Sequence, residues 1–398
     1  MLLLESFLLI YLGGVVTYLF ILSLAGKLRN KPTYSLHKTS PLKIAVLIPA
    51  YKEDYVIIHT LKNALKQSLS PAINHDVVII ADSLKEKTIQ EIKKLPVKLV
   101  EVSFAQSTKV KALNAGLAAL PDQYDIAVIL DADNIMDSSF LQHICAAYAT
   151  GEVVLQGRRV AKNKNTSFAM LDAASEIINN HIFRKGYNAL GLSASLIGSG
   201  MAFDYKLLKD TLTNLQAVGG FDRELCLALI QQGYQVKYLE DAIVFDEKVE
   251  HAQTFAKQRR RWLSSQFYYL GKNFRAAFSE AVAGNFAYFE AAVIGNLILP
   301  RVLILGLLPF IMLASLLFPS AFVSSPLIWG TLLFVFTIAL LLPIPKSFYN
   351  RKLLVAVFKI PYAFAILFIT LFKLKNSNQK FIHTPHRVVL PESESENI

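Results

Sequence analysis

Cysteine is nearly absent. The 398 residues contain two, Cys145 and Cys226, without paired spacing, which excludes a disulfide framework and any Cys-based zinc site. They read as reduced, buried, cytosol-facing thiols. Acid is scarce beside base: 30 Asp and Glu face 41 Lys and Arg, a net charge of +11. That balance can signal nucleic acid, but no zinc or RNA-binding pattern accompanies it. The basic residues instead cluster beside apolar runs, as in segments held at a cytoplasmic membrane face. No nucleic-acid partner is expected. Charge itself is missing from two stretches. Ser6–Gly26 has none over 21 residues, enough for one bilayer crossing. Val302–Pro345 has none over 44 residues, about right for two crossings, with Pro319-Ser320 and Ser324-Ser325-Pro326 marking the turn. A transporter would carry charge inside its spans. No internal repeat is present.

Apolar residues make up 53% of the chain and are concentrated at its ends, the pattern of an integral membrane protein with a polar middle. Only Glu5 precedes the first apolar run, while Lys27, Arg29, Lys31 and Lys38 follow it. A cleaved signal peptide has its positive charge in front. Residues 1–26 are therefore expected to be a retained anchor, N-terminus outside, leading through a basic linker (27–42) into the cytoplasm. The body, residues 43–263, has apolar strands at Ile44–Ile48, Val77–Ile80, Val97–Val102, Ile126–Leu130 and Val153–Leu155, with helical segments such as Tyr55–Gln67 and Lys109–Leu120 between the early ones. This alternation predicts an α/β fold with a mostly parallel sheet covered on both faces.

Residues 264–300 mix aromatic and basic side chains, as interfacial helices do. An amphipathic helix packed on the body has the same composition. Two crossings are expected over 301–345. Leu353–Phe372 is interrupted by Lys359 and Pro361 and reads as interfacial or re-entrant rather than as a fourth span. Residues 346–375 thus form a basic loop with that helix, and 376–398 a cytoplasmic tail. The layout predicts a multi-pass protein of the cell (inner) membrane with a cytoplasmic catalytic body.

The chemistry centres on Leu130-Asp131-Ala132-Asp133-Asn134, at the end of a buried apolar strand. Ligands bind at the carboxyl ends of such strands. Two carboxylates there can hold a hard divalent ion and leave positions free for diphosphate oxygens, although a lone Asp-x-Asp is more often a turn or cap. Four other stretches accompany it. Pro49-Ala50-Tyr51-Lys52-Glu53 follows a strand and could cradle a flat base, or could be a plain strand-to-helix loop. Asp82 ends another strand. Lys109 to Gly116, with Asn114, opens a helix whose cations could meet phosphate or simply face solvent. Gln258-Arg259-Arg260-Arg261-Trp262 precedes the interfacial region; basic runs there usually face lipid, but Trp262 offers a flat face for a sugar ring.

In this order and spacing these stretches resemble the membrane-embedded branch of the family 2 glycosyltransferases, which includes cellulose, hyaluronan and poly-N-acetylglucosamine synthases. The resemblance covers about Lys43 to Trp262 and the membrane layout. Pro49 to Glu53 is similar to the family's opening motif, with Lys52 where Asn is common. Asp131-Ala132-Asp133 matches its Asp-x-Asp, Gln258 with Arg261-Trp262 its Gln-x-x-Arg-Trp, and Gly198 to Phe203, including Gly200, its acceptor-side loop. The family's base normally sits in a Glu-Asp pair ahead of a Gly-aromatic pair. Counting back from Gly233-Tyr234 lands on Phe221-Asp222, so Asp222 takes the base position while Phe221 replaces the Glu; Glu224 is the alternative, and a simple helix cap at Asp222 is the third reading.

The resemblance implies a GT-A fold with N- and C-terminal transmembrane helices. It implies an inverting hexosyltransferase that uses a nucleotide-diphospho-sugar, a UDP-sugar foremost, with Mg²⁺ or Mn²⁺. Asp133 would hold the metal, with Asp131 on the ribose or the metal shell. Ala50, Tyr51, Glu53, Asp82 and Asn114 would belong to the nucleotide-binding set, and Lys109 could reach a phosphate. Arg261 would face the diphosphate, Gly200 and Gln258 would serve the acceptor and diphosphate, and Trp262 would face the acceptor sugar. The implied product is a β-linked polysaccharide. Transfer of one sugar to a lipid acceptor and a non-catalytic glycan-binding subunit are the alternatives. Membrane lipids are expected partners, and few crossings leave a channel wall incomplete without a homo-oligomer or accessory subunit. Phe381-Ile382-His383-Thr384-Pro385-His386 resembles the segment that closes over the nucleotide in this branch.

Overall fold

The computed structural model describes residues 2–30, 32, 34, 41–217 and 219–372; the Phe381–His386 segment lies outside these. The first helix, α1 (Leu2–Leu28), leads to β1 (Leu42–Tyr51), α2 (Ile57–Leu65), β2 (Ile73–Asp82), α3 (Glu86–Ile92), β3 (Lys98–Val102), α4 (Lys109–Ala118), β4 (Ile126–Ile129), β5 (Ile135–Met136), α5 (Phe140–Tyr148) and β6 (Val154–Ala161). After α6 (Ser167–Asn180), a π-helical turn at His181–Gly186 and the short α7 (Tyr187–Ala189), the body ends with β7 (Met201–Asp204), α8 (Tyr205–Thr213), α9 (Phe221–Gln231) and β8 (Lys237–Asp246).

The strands form one sheet in the order β3-β2-β1-β4-β7-β6-β8-β5. The pairs β1–β2, β2–β3, β1–β4 and β6–β8 are parallel, whereas β7 runs antiparallel to β4 and β6, and β5 to β8. The inner runs of the central strands, residues 44–48, 77–81 and 126–129, are apolar at every position because both faces are covered. Ala45, Leu47, Val78 and Ile80 pack toward α4, α8 and α9; Ile44, Val46, Ile48 and Ile79 pack toward α2, α3 and α5. The predicted mostly parallel sheet is therefore present, with three strands that the sequence reading did not include: β5, β7 and β8. Met201-Ala202-Phe203, expected within an acceptor-side loop, is instead buried strand β7.

Gly220 shows why one turn needs its residue. It caps α9 with φ +68°, and a Cβ there would overlap the Ser265 side chain and stand 3.2 Å from the Tyr269 ring. Left-handed backbone costs a non-glycine residue roughly 1–2 kcal/mol before any overlap. Gly220→Ala is expected to lower the thermal midpoint of the purified protein, and an unchanged midpoint would refute this account of the turn.

Beyond the body, α10 (Ala252–Val282) runs unbroken for 31 residues through position 263, where the sequence reading had put a boundary. Next come α11 (Phe286–Phe289), a π-turn at Glu290–Ile294, α12 (Gly295–Leu297), α13 (Arg301–Leu317), α14 (Pro326–Leu341), α15 (Arg351–Val357) and α16 (Ile360–Leu371). Leu12, Val16, Leu19 and Leu22 of α1 pack with Ile304 and Leu308 of α13 and Trp329 and Phe336 of α14. Ser23 donates to the Ala339 carbonyl at 2.8 Å, and the Glu5 carboxylate accepts the Val323 and Ser324 amides. Among the described residues, α1 is the one helix long and apolar enough to cross a membrane alone. Residues 286–297 with 301–317 (bent by 55°) and α15 with α16 (bent by 42°) reach that length only as pairs. The stretch expected to make two crossings folds as helices of 17 and 16 residues.

Candidate active site

The strand ends of β1, β2 and β4 open into a cavity of about 1240 Å³ that continues to α13, α14 and α16. Two of these strands end in strained backbone, Lys52 at φ +57° and Ser83 at φ +58°. Such outliers cluster where a ligand is gripped. Ala50, Tyr51 and Glu53 line the cavity, and Tyr51 is in register with Asp82 across the parallel pair. Asp82 is buried and accepts from Ser83 Oγ at 2.9 Å.

Asp131 and Asp133 follow β4 on the same wall. The Asp131 amide donates to Ser199 Oγ at 2.9 Å, and its carboxylate pairs with Lys109, whose Nζ also donates to the Gly198 carbonyl at 2.7 Å. Asp133 is held from behind. Asn134 Nδ2 donates to its Oδ2 at 3.3 Å and to Asp246 Oδ1 at 3.2 Å, and Lys162 donates to its carbonyl. Among the described residues no cluster of three His, Cys, Asp or Glu forms a protein cage for a metal. Two hard oxygen donors beside open cavity suit Mg²⁺ or Mn²⁺, ions that keep positions for phosphate oxygens and water.

Asp222, in the first turn of α9, faces the Gly198 loop; its Oδ2 lies 3.9 Å from where a Cβ on Gly198 would be. Arg261 on α10 has Asp222 and Asp131 as its charged neighbours. Burial draws its pKa down, against the pull of those carboxylates. Gln258 also lines the cavity and buries its Oε1 without a partner. Trp262 is on the wall, but the Arg259 guanidinium covers one ring face, 4.3 Å from its centroid.

Three expected residues are not brought to the cavity. Asn114 turns to α8, donating to the Leu212 carbonyl at 3.2 Å. Glu224 pairs with Lys272 on the far side of α9. Gly200 is structural: its carbonyl accepts the Gly157 amide at 2.8 Å, and a Cβ would meet Val244 at 2.9 Å. Conversely, Lys162, Asn134 and Asp246 support the acid pair and were not expected. Asp246 ends β8, so recognising that strand would have exposed it.

The sheet order, the strand-end cavity and the acid pair make this body a GT-A-like fold. The chain belongs to the glycosyltransferase-like family 2, whose pattern matches residues 41–265. A Bacillus subtilis (strain 168) protein named "Probable glycosyltransferase YdaM" is 23% identical over 262 residues. The match covers 60% of this chain and 59% of that one, so the chain spans about three-fifths of the relative's length. Among solved structures, the Pyrobaculum calidifontis mannosyltransferase PcManGT in complex with GDP-Man and Mn²⁺ matches with a TM-score of 0.53 and 16% identity, over 90% of this chain and 98% of that one, a likeness of fold. S. aureus TarS (residues 1–349) matches more loosely, at 0.39 with 17% identity over 55% of this chain and 64% of that one.

Proposed function

We propose that the protein transfers a hexosyl group, with inversion, from a nucleotide-diphospho-sugar to an acceptor hydroxyl. The observation that carries this is the convergence of Tyr51, Asp82, Asp131, Asp133, Asp222 and Arg261 on one cavity. Tyr51, Glu53 and Asp82, at the ends of β1 and β2, bind the base and ribose of the donor, a UDP-sugar by preference. Asp131 and Asp133 hold Mg²⁺ or Mn²⁺, which when bound neutralises the diphosphate and improves it as a leaving group. Lys109 and Arg261 add cations where negative charge develops. Asp222 takes the acceptor proton as its oxygen attacks the anomeric carbon, and the bond to the diphosphate breaks with its electron pair. The complex of PcManGT with GDP-Man and Mn²⁺ supports a metal-dependent donor of this class.

For the acceptor, the continuation of the cavity along α13, α14 and α16 favours a lipid. The second reading is elongation of a β-linked polysaccharide, as in the cellulose, hyaluronan and poly-N-acetylglucosamine synthase branch, favoured by Gln258 and Arg261-Trp262 on the wall. The basic loops support a setting with α1 as anchor, α13 and α14 in the membrane and the body at the cytoplasmic face.

The test is nucleotide release by detergent-purified protein offered a panel of UDP- and GDP-sugars with Mn²⁺ or Mg²⁺. One donor is expected to give release, and Asp133→Asn to require far more metal for it. Silence with every donor, lipid extract included, would leave a non-catalytic subunit as the better account.

A further inference from the structure

Some cavity-lining residues have no part in the donor chemistry. Arg301 begins α13, where the cavity passes from the sheet to the membrane-side helices. Its Nη2 donates to Asn179 Oδ1 at 2.7 Å and Ser175 Oγ at 3.0 Å, while Nη1 is buried without a partner. Among the described residues it forms no direct ion pair; Arg259 and Arg184 repel it, and the one carboxylate whose field reaches it, Glu176, is already held by Arg159, Arg184 and Lys248. A guanidinium keeps its proton under all ordinary conditions. Burying one without a direct ion-pair partner is costly, and an anionic ligand against it offsets that cost.

The surrounding network points the same way. Arg159, Arg184 and Lys248 surround Glu176, Lys248 also pairs with Asp246, and Arg259 pairs with Asp172. With Arg301, five cations meet three carboxylates. The adjoining Lys162 faces Asp133 and Glu247, which narrows the surplus without removing it. Beyond Arg301 the walls are apolar (Leu305 of α13, Leu340 and Leu341 of α14, Val357 of α15, Ala363 and Leu367 of α16) except for Thr337, whose hydroxyl donates to the Leu333 carbonyl. The same cavity therefore presents apolar walls, a cation without a direct ion-pair partner and the Asp222 carboxylate.

Resting on the transferase reading above, we propose that the acceptor is a lipid carrying an anionic phosphate between its apolar tails and its reacting hydroxyl. Arg301 holds the phosphate through its free Nη1, in the field of Arg259 and Arg184, while the tails lie along α13, α14 and α16. The lipid hydroxyl oxygen bonds to the anomeric carbon, the nucleoside diphosphate leaves with the electron pair, and the proton goes to Asp222.

The experiment uses the full chain in detergent with the donor that gives nucleotide release. Four probes are compared: dioctanoyl phosphatidylglycerol, dioctanoylglycerol, glycerol phosphate and a β-linked oligosaccharide. Labelled sugar is expected in the phosphatidylglycerol fraction at about tenfold or more over the others, the range of a charge-assisted contact. Arg301→Gln should raise the KM for that lipid by a similar factor, and Arg301→Lys should recover part of it. Without donor, the same lipid should raise the Tm of the wild type while dioctanoylglycerol does not. Equal or better use of any other probe, or an unchanged KM in Arg301→Gln, overturns the proposal while leaving the transferase reading intact. If no donor gives release, the transferase reading fails, and the Tm comparison decides the lipid site by itself.

Discussion

Asp222→Asn is expected to lower the rate of sugar transfer about a thousandfold, within the 10²–10⁴ that general base catalysis contributes. The amide keeps the size and the contact with the Gly198 loop but cannot accept a proton from the acceptor. Because the substitution keeps the side chain's size and leaves Asp131 and Asp133 untouched, donor affinity should change little and the loss should fall on kcat. The control is Glu224→Gln. Its carboxylate pairs with Lys272 away from the cavity, so the rate should stay within a few-fold of wild type. A large loss in the Glu224 variant with a mild one in the Asp222 variant would reverse the assignment. Equal mild effects would remove the base from α9 altogether.

Glu176→Gln should cost about 3–5 kcal/mol of stability, the scale for removing one member of a buried charge network. Glu176 is buried among Arg159, Lys248 and Arg184, and the substitution leaves three cations around a neutral amide. Burial alone would raise the carboxyl pKa, but Arg159, Lys248 and Arg184 outweigh it and hold it well below the ordinary 4.5. A folded-state pKa depressed in this way contributes stability that is full above the unfolded value and lost as pH falls toward the folded one. The gap between wild type and variant should therefore be complete at pH 7 and shrink progressively below about pH 5. Thermal unfolding at pH 7.5 and pH 4 checks both parts. A gap that widens on acidification would show that Glu176 does not carry the network.

Much of this was legible in the chain because its physics is local. Residues 44–48 of β1, 77–81 of β2 and 126–130 at β4 are apolar at every position, and Asp82 and Asp131 stand where the last two runs stop. β7 was hidden because Met201-Ala202-Phe203 is short and flanked by glycine, so it read as loop. β8 was hidden because Glu240 and Asp241 interrupt its apolar pattern at the register shift beside Gly157 and Arg158. Asn114 and Gly200 were assigned to the site by motif, and tertiary packing gave them other work. The charge network around Glu176 joins residues from β6, α6, the π-helical turn and α10, so no spacing in the sequence could have announced it.

The unbroken course of α10 also ties the two ends of the cavity to one rigid element. At 1.5 Å per residue its 31 residues span about 46 Å, and the helix that carries Gln258, Arg261 and Trp262 is the one that meets α16 through Leu263. The cavity wall is thus mounted on a ruler. One residue inserted between Trp262 and Leu263 would turn one end against the other by about 100°, separating the cavity wall that carries Gln258 and Arg261 from α16.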